Sequence, residues 1–455
     1  MNLLPLLACA LAWARTPADA LVRVFAVIGL LSIEMQVMTL SGTGSLCSLA
    51  AVNLLVAGAA AVWQARTGRP RGGWFKESWT VAPWPGLAVM AGVVLLLNAV
   101  LPVEAADPYN MERVLQIQRA GTLEYAPDAD FKVNLVGFLY ELVLADLSLV
   151  PRIGGALMRF HGLLGLQLYL LGLATVRGWL TGAAPRRWPW LLLLTVPVVF
   201  HQLVLIKNDL FLAVPACVAL TWLVTRARAA APLEVFQFAS LMGLVAGYKA
   251  TNLPLALILA GAALFVGRSG GRGPALAAVA AGGALGAIAG GLPFGMLENL
   301  RVYGDPFARA QIATLGNVTT GLASTAESLL RFVISLFDLG QLTRRWWPGR
   351  GGWGGTFGLP FIWAVFVLVP RWRRLPEARW SLLIAAVHFV AFAATFPDAD
   401  VAQRLAMAPA LLVIAIAVAT VARDDGERTA RLTLMPVLAL SAAQLLLSAV
   451  NYLQR

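Results

Sequence analysis

The chain has 455 residues, of which 59% are hydrophobic and only 13% charged, with a formal net charge of +12. Soluble domains carry about a quarter charged residues, so a chain of mean hydropathy +0.75 has too little polar surface to enclose a soluble core. The basic balance does not mark a nucleic-acid binder either, because the arginines cluster in short connectors between apolar runs, and the sequence points to no nucleic-acid partner. Cys9, Cys47 and Cys217 all sit in apolar runs without metal-ligand spacing, so neither a disulfide framework nor a zinc site is indicated.

Crossing a hydrocarbon layer about 30 Å thick takes about 20 helical residues. The apolar runs are continuous instead of alternating, which means helices and not barrel strands. The opening run, Asn2 to Trp13, is short for a span and reads as interfacial or a partial span. Spans follow over 20–40, 45–63, 83–103, 153–176, 188–205, 210–225, 234–247, 252–267, 274–296, 355–370, 380–396, 405–422 and 432–449. The expected fold class is therefore an all-α polytopic membrane protein with about thirteen transmembrane helices.

Positive charge sets the threading. Connector 64–82 carries Arg66, Arg69, Arg71 and Lys76 and belongs inside the cell, whereas 104–132 carries six acids against three bases and belongs outside. Arg186 and Arg187, Arg226 and Arg228, Arg268 and Arg272, Arg371 to Arg374, and Arg423 and Arg428 then all fall inside. This holds only if 133–150 does not cross. That segment contains Glu141 and Asp146 and is expected to lie along the outer surface as an interfacial helix, as is 110–120 with Met111, Val114 and Leu115 on one face. Residues 298–354 are expected to hold external surface structure, with Arg344, Arg345 and Arg350 outside.

The threading gathers polar residues on the outer face: Asp107, the Lys207-Asn208-Asp209 turn, the Tyr248-Lys249 hairpin, the exit Glu298-Asn299-Leu300-Arg301, and Pro397 to Arg404. Lys207, Asn208 and Asp209 join two apolar runs with almost nothing between them. Ionisable groups held near membrane depth are costly and usually functional, although a Lys-Asp pair can also close a turn and snorkel. Tyr248-Lys249 lies between two short helices, as where a hairpin dips into a protein-lined cavity. Asp398-Ala399-Asp400 and Asp128-Ala129-Asp130 have a spacing able to chelate a divalent cation, but solvated acids are the simpler reading. His161, His201 and His388 read as satisfied core histidines.

Five segments, in order and on one face, resemble motifs of bacterial C-fold (GT-C) membrane glycosyltransferases of the glycosyltransferase 39-like kind. Asp107-Pro108-Tyr109-Asn110-Met111-Glu112-Arg113-Val114 resembles the acidic segment that leads into the family's first surface helix, with Asn for the family's His and a tighter spacing. His201-Gln202 through Lys207-Asn208-Asp209 is similar to its Gln-Asn-Asp at a later external helix end. Gly247-Tyr248-Lys249-Ala250-Thr251-Asn252 is similar to its Thr-Lys-x-Thr-Gly hairpin. Glu298-Asn299-Leu300-Arg301-Val302-Tyr303-Gly304-Asp305-Pro306 resembles its Arg-Asn-x-x-x-Tyr-Gly-Asn-Pro, and Gln403-Arg404-Leu405-Ala406-Met407-Ala408-Pro409 its Asn-Arg-(Leu/Tyr)-x-x-Pro.

The resemblance implies a GT-C-like catalytic module over 83–422, with external loops 104–152 and 298–354. It would be preceded by additional helices in 1–82 and followed by a C-terminal helix in 423–455. It implies transfer of a sugar from a polyprenyl-phosphate donor to an acceptor hydroxyl on a lipid, glycan or protein. The setting would be a bacterial inner (plasma) membrane of the cell envelope, with the site facing the periplasm or exterior. The reaction would be a single displacement with Asp107 as general base. Lys207, Lys249, Arg301 and Arg404 would hold the donor phosphate, with Tyr109, Arg113, Asn208, Tyr248, Arg152 and Arg159 as additional site residues. Asp209 would orient a lysine or share a metal with Asp107; metal dependence is left open. Two rivals stand beside this reading. A transporter or flippase of lipid-linked saccharides would use the same charges without breaking a bond, although no internal repeat of the transporter kind is evident. An O-antigen ligase or polymerase would rely on a large late external loop.

Overall fold

The computed structural model describes residues 3–42, 46–67, 73–81, 84–101, 108–127, 133–134, 137–150, 152, 154–181, 188–205, 208–249, 252–263, 266, 271–314, 322–336, 357–395, 405–423 and 427–453. Among them every regular element is helical and none is a strand. In chain order the helices are α1 (Leu3–Ala12), α2 (Pro17–Ser41), α3 (Leu46–Thr67), α4 (Gly73–Val81), α5 (Trp84–Val100), α6 (Pro108–Ala120), α7 (Leu139–Ser148) and α8 (Gly154–Arg159). They continue as α9 (His161–Thr181), α10 (Leu191–Leu194), α11 (Pro197–Val204), α12 (Asp209–Thr225), α13 (Pro232–Tyr248), α14 (Leu253–Ala262) and α15 (Arg272–Gly290). The last are α16 (Leu292–Tyr303), α17 (Arg309–Thr314), α18 (Leu322–Leu336), α19 (Gly358–Leu368), α20 (Pro376–Thr395), α21 (Met407–Arg423) and α22 (Glu427–Leu453).

Four stretches, Pro17–Ser41, His161–Thr181, Arg272–Gly290 and Leu432–Val450, are long and apolar enough to cross a membrane. Several expected spans are interrupted, and proline and glycine supply the reason. The run 188–205 is broken after α10, because Val196 is extended (φ −71, ψ 115) ahead of Pro197, which lacks the N–H needed to continue the ladder. The run 274–296 stops at Gly290: Gly291 adopts φ +93, and a new helix, α16, starts with Pro293 in its first turn. Residues 153–176 divide at Phe160, between α8 and α9, and among the described residues of 252–267 the α-helix covers only the ten of α14.

Two helices form the centre. Every residue of α12 from Asp209 to Leu223 is buried, as is every residue of α21 from Met407 to Ala422. Helices apolar on all sides belong in an interior, and these two pack side by side with α9, α13 and α20 around them. The tightest pairing is α13 on α15. A Cβ on Gly243 would run into the Gly283 carbonyl, and one on Gly286 into that of Ser240, so the two backbones touch through their glycines. That seam fixes where α13 ends, at Tyr248 and Lys249.

The segment 133–150 differs from the surface helix expected of it. α7 is helical but covered, with Leu139 through Leu147 all buried beneath α1, α2, α6 and α8. The N-terminal residues take part in this cover, since the Leu3 amide donates to Asp146 Oδ2 at 3.0 Å. α6, expected as a helix over 110–120, runs from Pro108 to Ala120 and packs on α7.

Candidate functional site

α7, the turn between α11 and α12, and the end of α13 meet at one polar cluster inside the apolar assembly. Glu141 on α7 is 0% exposed. Its carboxylate accepts from Tyr248 Oη at 2.6 Å and from Asn208 Nδ2 at 2.9 Å, and Asn208 Nδ2 also lies 2.8 Å from Tyr248 Oη. On the other side of the amide, Lys249 Nζ donates to Asn208 Oδ1 and, at 3.2 Å, to Asp209 Oδ1. A buried carboxylate needs such partners, because leaving it without them in a low-dielectric interior is prohibitive.

Local backbone chemistry holds each member in place. Asp209 is the first residue of α12, where a negative charge meets the positive end of the helix dipole. Tyr248 can lie across the approach to α7 because Gly137 stands there with φ +89, and a Cβ at Gly137 would come within 2.9 Å of the phenol ring. The α11 end of the turn is anchored by Asn98 of α5. Its amide donates to Val204 O at 3.2 Å while its Oδ1 accepts from the Gly162 amide at 3.1 Å.

The cluster opens on a cleft between α12, α13, α14, α20 and α21 of about 320 Å³, its mouth included. Asp209, Lys249, Asn252 and His388 supply its polar lining, and Leu212, Leu255 and Leu405 part of its apolar lining. His388 is 1% exposed, and its Nδ1 is buried with no hydrogen-bond partner among the described residues. It is therefore not the satisfied core histidine expected from sequence.

Of the residues read from sequence, the structure brings Asn208, Asp209, Tyr248 and Lys249 together. Asp107, Lys207 and Arg404 lie outside the described residues, as do Asp128, Asp130, Asp398 and Asp400 and the arginines Arg344, Arg345 and Arg350. Arg301 belongs to a second cluster. It bonds Glu298 Oε2 at 2.7 Å and the Tyr125 carbonyl at 3.0 Å, while the Tyr125 amide donates back to Glu298 Oε2 at 2.8 Å. Arg113 is fully buried and clamps the same loop through the carbonyls of Leu123 (2.6 Å) and Glu124 (2.9 Å), with its guanidinium 5.2 Å from the Tyr125 ring centroid. Burial pulls the Arg113 pKa down, and the nearby Tyr125, Glu141, Glu298 and Tyr248 pull it up, so this guanidinium lies within electrostatic reach of both clusters. Arg159 donates to the carbonyls of Asn98 (3.3 Å) and Ala99 (2.7 Å) at the end of α5. Arg152 is exposed with φ +67, and Tyr109 is half-buried in the first turn of α6. Among the described residues no group of three or more His, Cys, Asp or Glu side chains converges on a metal site.

Glu141 is the member that the motif reading passed over. Its signal was an acid, one of two with Asp146, in the apolar run Leu139 to Leu147, a place where a charge must find a partner. Burial pushes its carboxyl up to about 7, against the opposing hydrogen bonds of Tyr248 and Asn208 and the charge of Lys249. With a pKa raised above that of the unfolded chain, the folded protein binds more protons through this window. The contribution to stability is fully present below the ordinary carboxylate range and is lost as pH rises toward 7. Thermal unfolding of the purified protein should therefore show wild type losing stability between about pH 4.5 and 7.5 relative to Glu141→Gln, which has no proton to lose. Parallel pH curves for the two proteins would show that Glu141 does not titrate in this range.

The fold and the cluster define an all-helical protein with helices long and apolar enough to cross a membrane, and with a buried network of charged and hydrogen-bonding groups where several helix ends meet. In comparisons with known proteins, no family model, curated protein or solved structure matches the chain.

Proposed function

We propose that the protein is a membrane glycosyltransferase that moves a sugar from a polyprenyl-phosphate donor to an acceptor hydroxyl at the external face of the membrane. The observation that carries this reading is the network of Glu141, Asn208, Tyr248, Lys249 and Asp209, drawn from three distant segments and opening on a cleft with an apolar wall. Burying that many polar groups among apolar helices is costly, and sites that bind or react are where such costs are sustained. In the reaction, the acceptor oxygen gives its proton to the Asp107 carboxylate and bonds to the anomeric carbon. The bond from that carbon to the phosphate oxygen breaks, and polyprenyl phosphate leaves with the electron pair. Cations near the leaving phosphate are worth more in such a dry setting than in water, and Lys249, Lys207 and Arg404 are the candidates. Glu141 acts at one remove, holding Asn208 and through it Lys249. The thirteen-span threading, with GT-C-like topology, completes the proposal. α5 leads outward to Asp107, and a polyprenyl tail in the bilayer presents its phosphate at that level.

The direct test incubates the purified protein in liposomes with polyprenyl-phosphate sugars and an envelope extract as acceptor. Release of polyprenyl phosphate with appearance of glycosylated acceptor is expected. Passage of intact lipid-linked sugar from one leaflet to the other, without cleavage, would instead make the protein a transporter. Topology offers an independent check: in a cysteine-free background, Asp107→Cys should react with an impermeant reagent in intact cells, and Arg373→Cys only after the membrane is broken. The reverse pattern would remove the active-site assignment altogether.

A further inference from the structure

We propose that the cleft beside the Lys249–Asp209 pair is a binding site for one ordered water, which bridges Lys249 Nζ, Asn252 Oδ1 and His388 Nδ1 and makes His388 a positioning residue for the lysine. The proposal stands apart from the glycosyltransferase reading. Its first ground is size. Behind its mouth the cleft leaves about 20 Å³ for the centre of a water molecule. One water needs about 10–15 Å³ on that measure, so the space takes a water and no larger solute.

The second ground is that three side chains lining this small space each have a hydrogen-bonding atom left over. His388 Nδ1 is buried with no partner among the described residues, and its ring is held against Phe392 with centroids 4.9 Å apart. Asn252 is 5% exposed and donates through Nδ2 to the Val245 carbonyl at 2.6 Å, while its Oδ1 meets no donor among the described residues. An ammonium has three N–H donors, and Lys249 spends two of them, on Asn208 Oδ1 and Asp209 Oδ1. The leftover atoms are also of complementary kinds. The ammonium donates, the amide oxygen accepts, and Nδ1 accepts when the imidazole carries its proton on Nε2. A water that accepts from Lys249 and donates to Asn252 and His388 satisfies all three, and three bonds are typical of a buried water. Lys249 ends α13 and Asn252 precedes α14, so the water ties the turn between them to α20. His388 then fixes the ammonium through the water, and a hydrogen-bonded path runs from Glu141 through Tyr248, Asn208 and Lys249 to α20.

The test uses the full-length protein in lipid nanodiscs, with no substrate added. The chain has three histidines, so labelling histidine alone with an NMR-active nitrogen isotope gives three imidazoles, and His388→Gln identifies that of His388 by its loss. Its Nδ1 is expected to be unprotonated, with a resonance shifted upfield because it accepts a hydrogen bond. Asn252→Leu, of similar volume, removes one of the water's acceptors and brings an apolar group to it, and the His388 resonance should move back toward that of a bond-free nitrogen. A high-resolution map of the wild type should show one peak about 3 Å from Lys249 Nζ, Asn252 Oδ1 and His388 Nδ1. A protonated or bond-free Nδ1 in the wild type overturns the proposal, as does a map that sets a protein group against Nδ1. A resonance unchanged in folded Asn252→Leu also overturns it, because the bond is then made outside the cleft. If Asn252→Leu does not fold, the wild-type spectrum and map decide alone. None of these readings involves sugar transfer, so a protein without transferase activity leaves the proposal standing and its failure leaves the transferase reading untouched.

Discussion

Asp107→Asn is expected to lower sugar transfer about 10²–10⁴-fold, the usual cost of losing a general base, with folding and polyprenyl-phosphate binding unchanged. Asp107 lies seven residues beyond the end of α5 at Val100 and directly before Pro108, where α6 begins. A proline biases the residue before it toward extended backbone, and on the proposed mechanism the carboxylate is held at a defined height there. Asparagine keeps the shape and the hydrogen-bonding capacity but cannot take a proton from the acceptor. The competing account is that Asp107 only caps α6. Asparagine caps about as well as aspartate, so that account allows a stability change of at most about 1 kcal/mol and near-normal turnover per folded molecule. Measuring transfer and thermal unfolding on the same preparation separates the two. A stable variant with near-normal transfer would take Asp107 out of the active site.

What could be read in the sequence, and what could not, follows the range over which each force acts. The helices announced themselves because a run of apolar residues is a local fact, and so did Asn208, Asp209, Tyr248 and Lys249, because ionisable groups between closely spaced apolar runs are locally anomalous. The breaks at Pro197 and Gly291 were also local, and they were passed over because apolar length was weighed above backbone punctuation. Glu141 was visible as an acid but not as a site member. Whether an acid in an amphipathic segment faces water or a buried partner depends on what covers it, and α7 is covered by helices from both sides of it in the chain. Its partners Asn208 and Tyr248 stand 67 and 107 residues further along the chain, a pairing that no spacing rule predicts. His388 carries no signal in the sequence at all. That its Nδ1 has no partner among the described residues is a property of the packed interior, not of the helix that carries it.

The arginines show the converse. By sequence Arg301 is a phosphate cation and Arg113 and Arg159 are additional site residues, but each is engaged with main-chain carbonyls: Arg113 with Leu123 and Glu124, Arg159 with Asn98 and Ala99, and Arg301 with Tyr125. A planar guanidinium with five donors is suited to gathering loop and helix-end carbonyls. The chain uses these three to set the loop after α6 and the end of α5. A compact ammonium, as on Lys249, makes fewer fixed bonds and is the better candidate for a group that exchanges partners when substrate enters.

Lys249→Ala is expected to destabilise the fold by about 3–5 kcal/mol, the range for breaking one side of a buried ion pair, and to abolish transfer. The side chains of Lys249 and Asp209 are 17% and 6% exposed, so loss of the ammonium leaves a carboxylate with little water to solvate it. The position of Asp209 at the first residue of α12 offsets part of that cost through the helix dipole, which places the expected loss toward the lower end. Lys249→Met combined with Asp209→Leu removes both charges and should recover most of the stability, because well-packed apolar residues often replace a buried pair at little net cost. It should recover none of the transfer, because the groups that meet the donor are gone. The double-variant cycle therefore splits the two roles of the pair. A double variant that is stable and transfers sugar at the wild-type rate would make Lys249 and Asp209 a structural pair and nothing more.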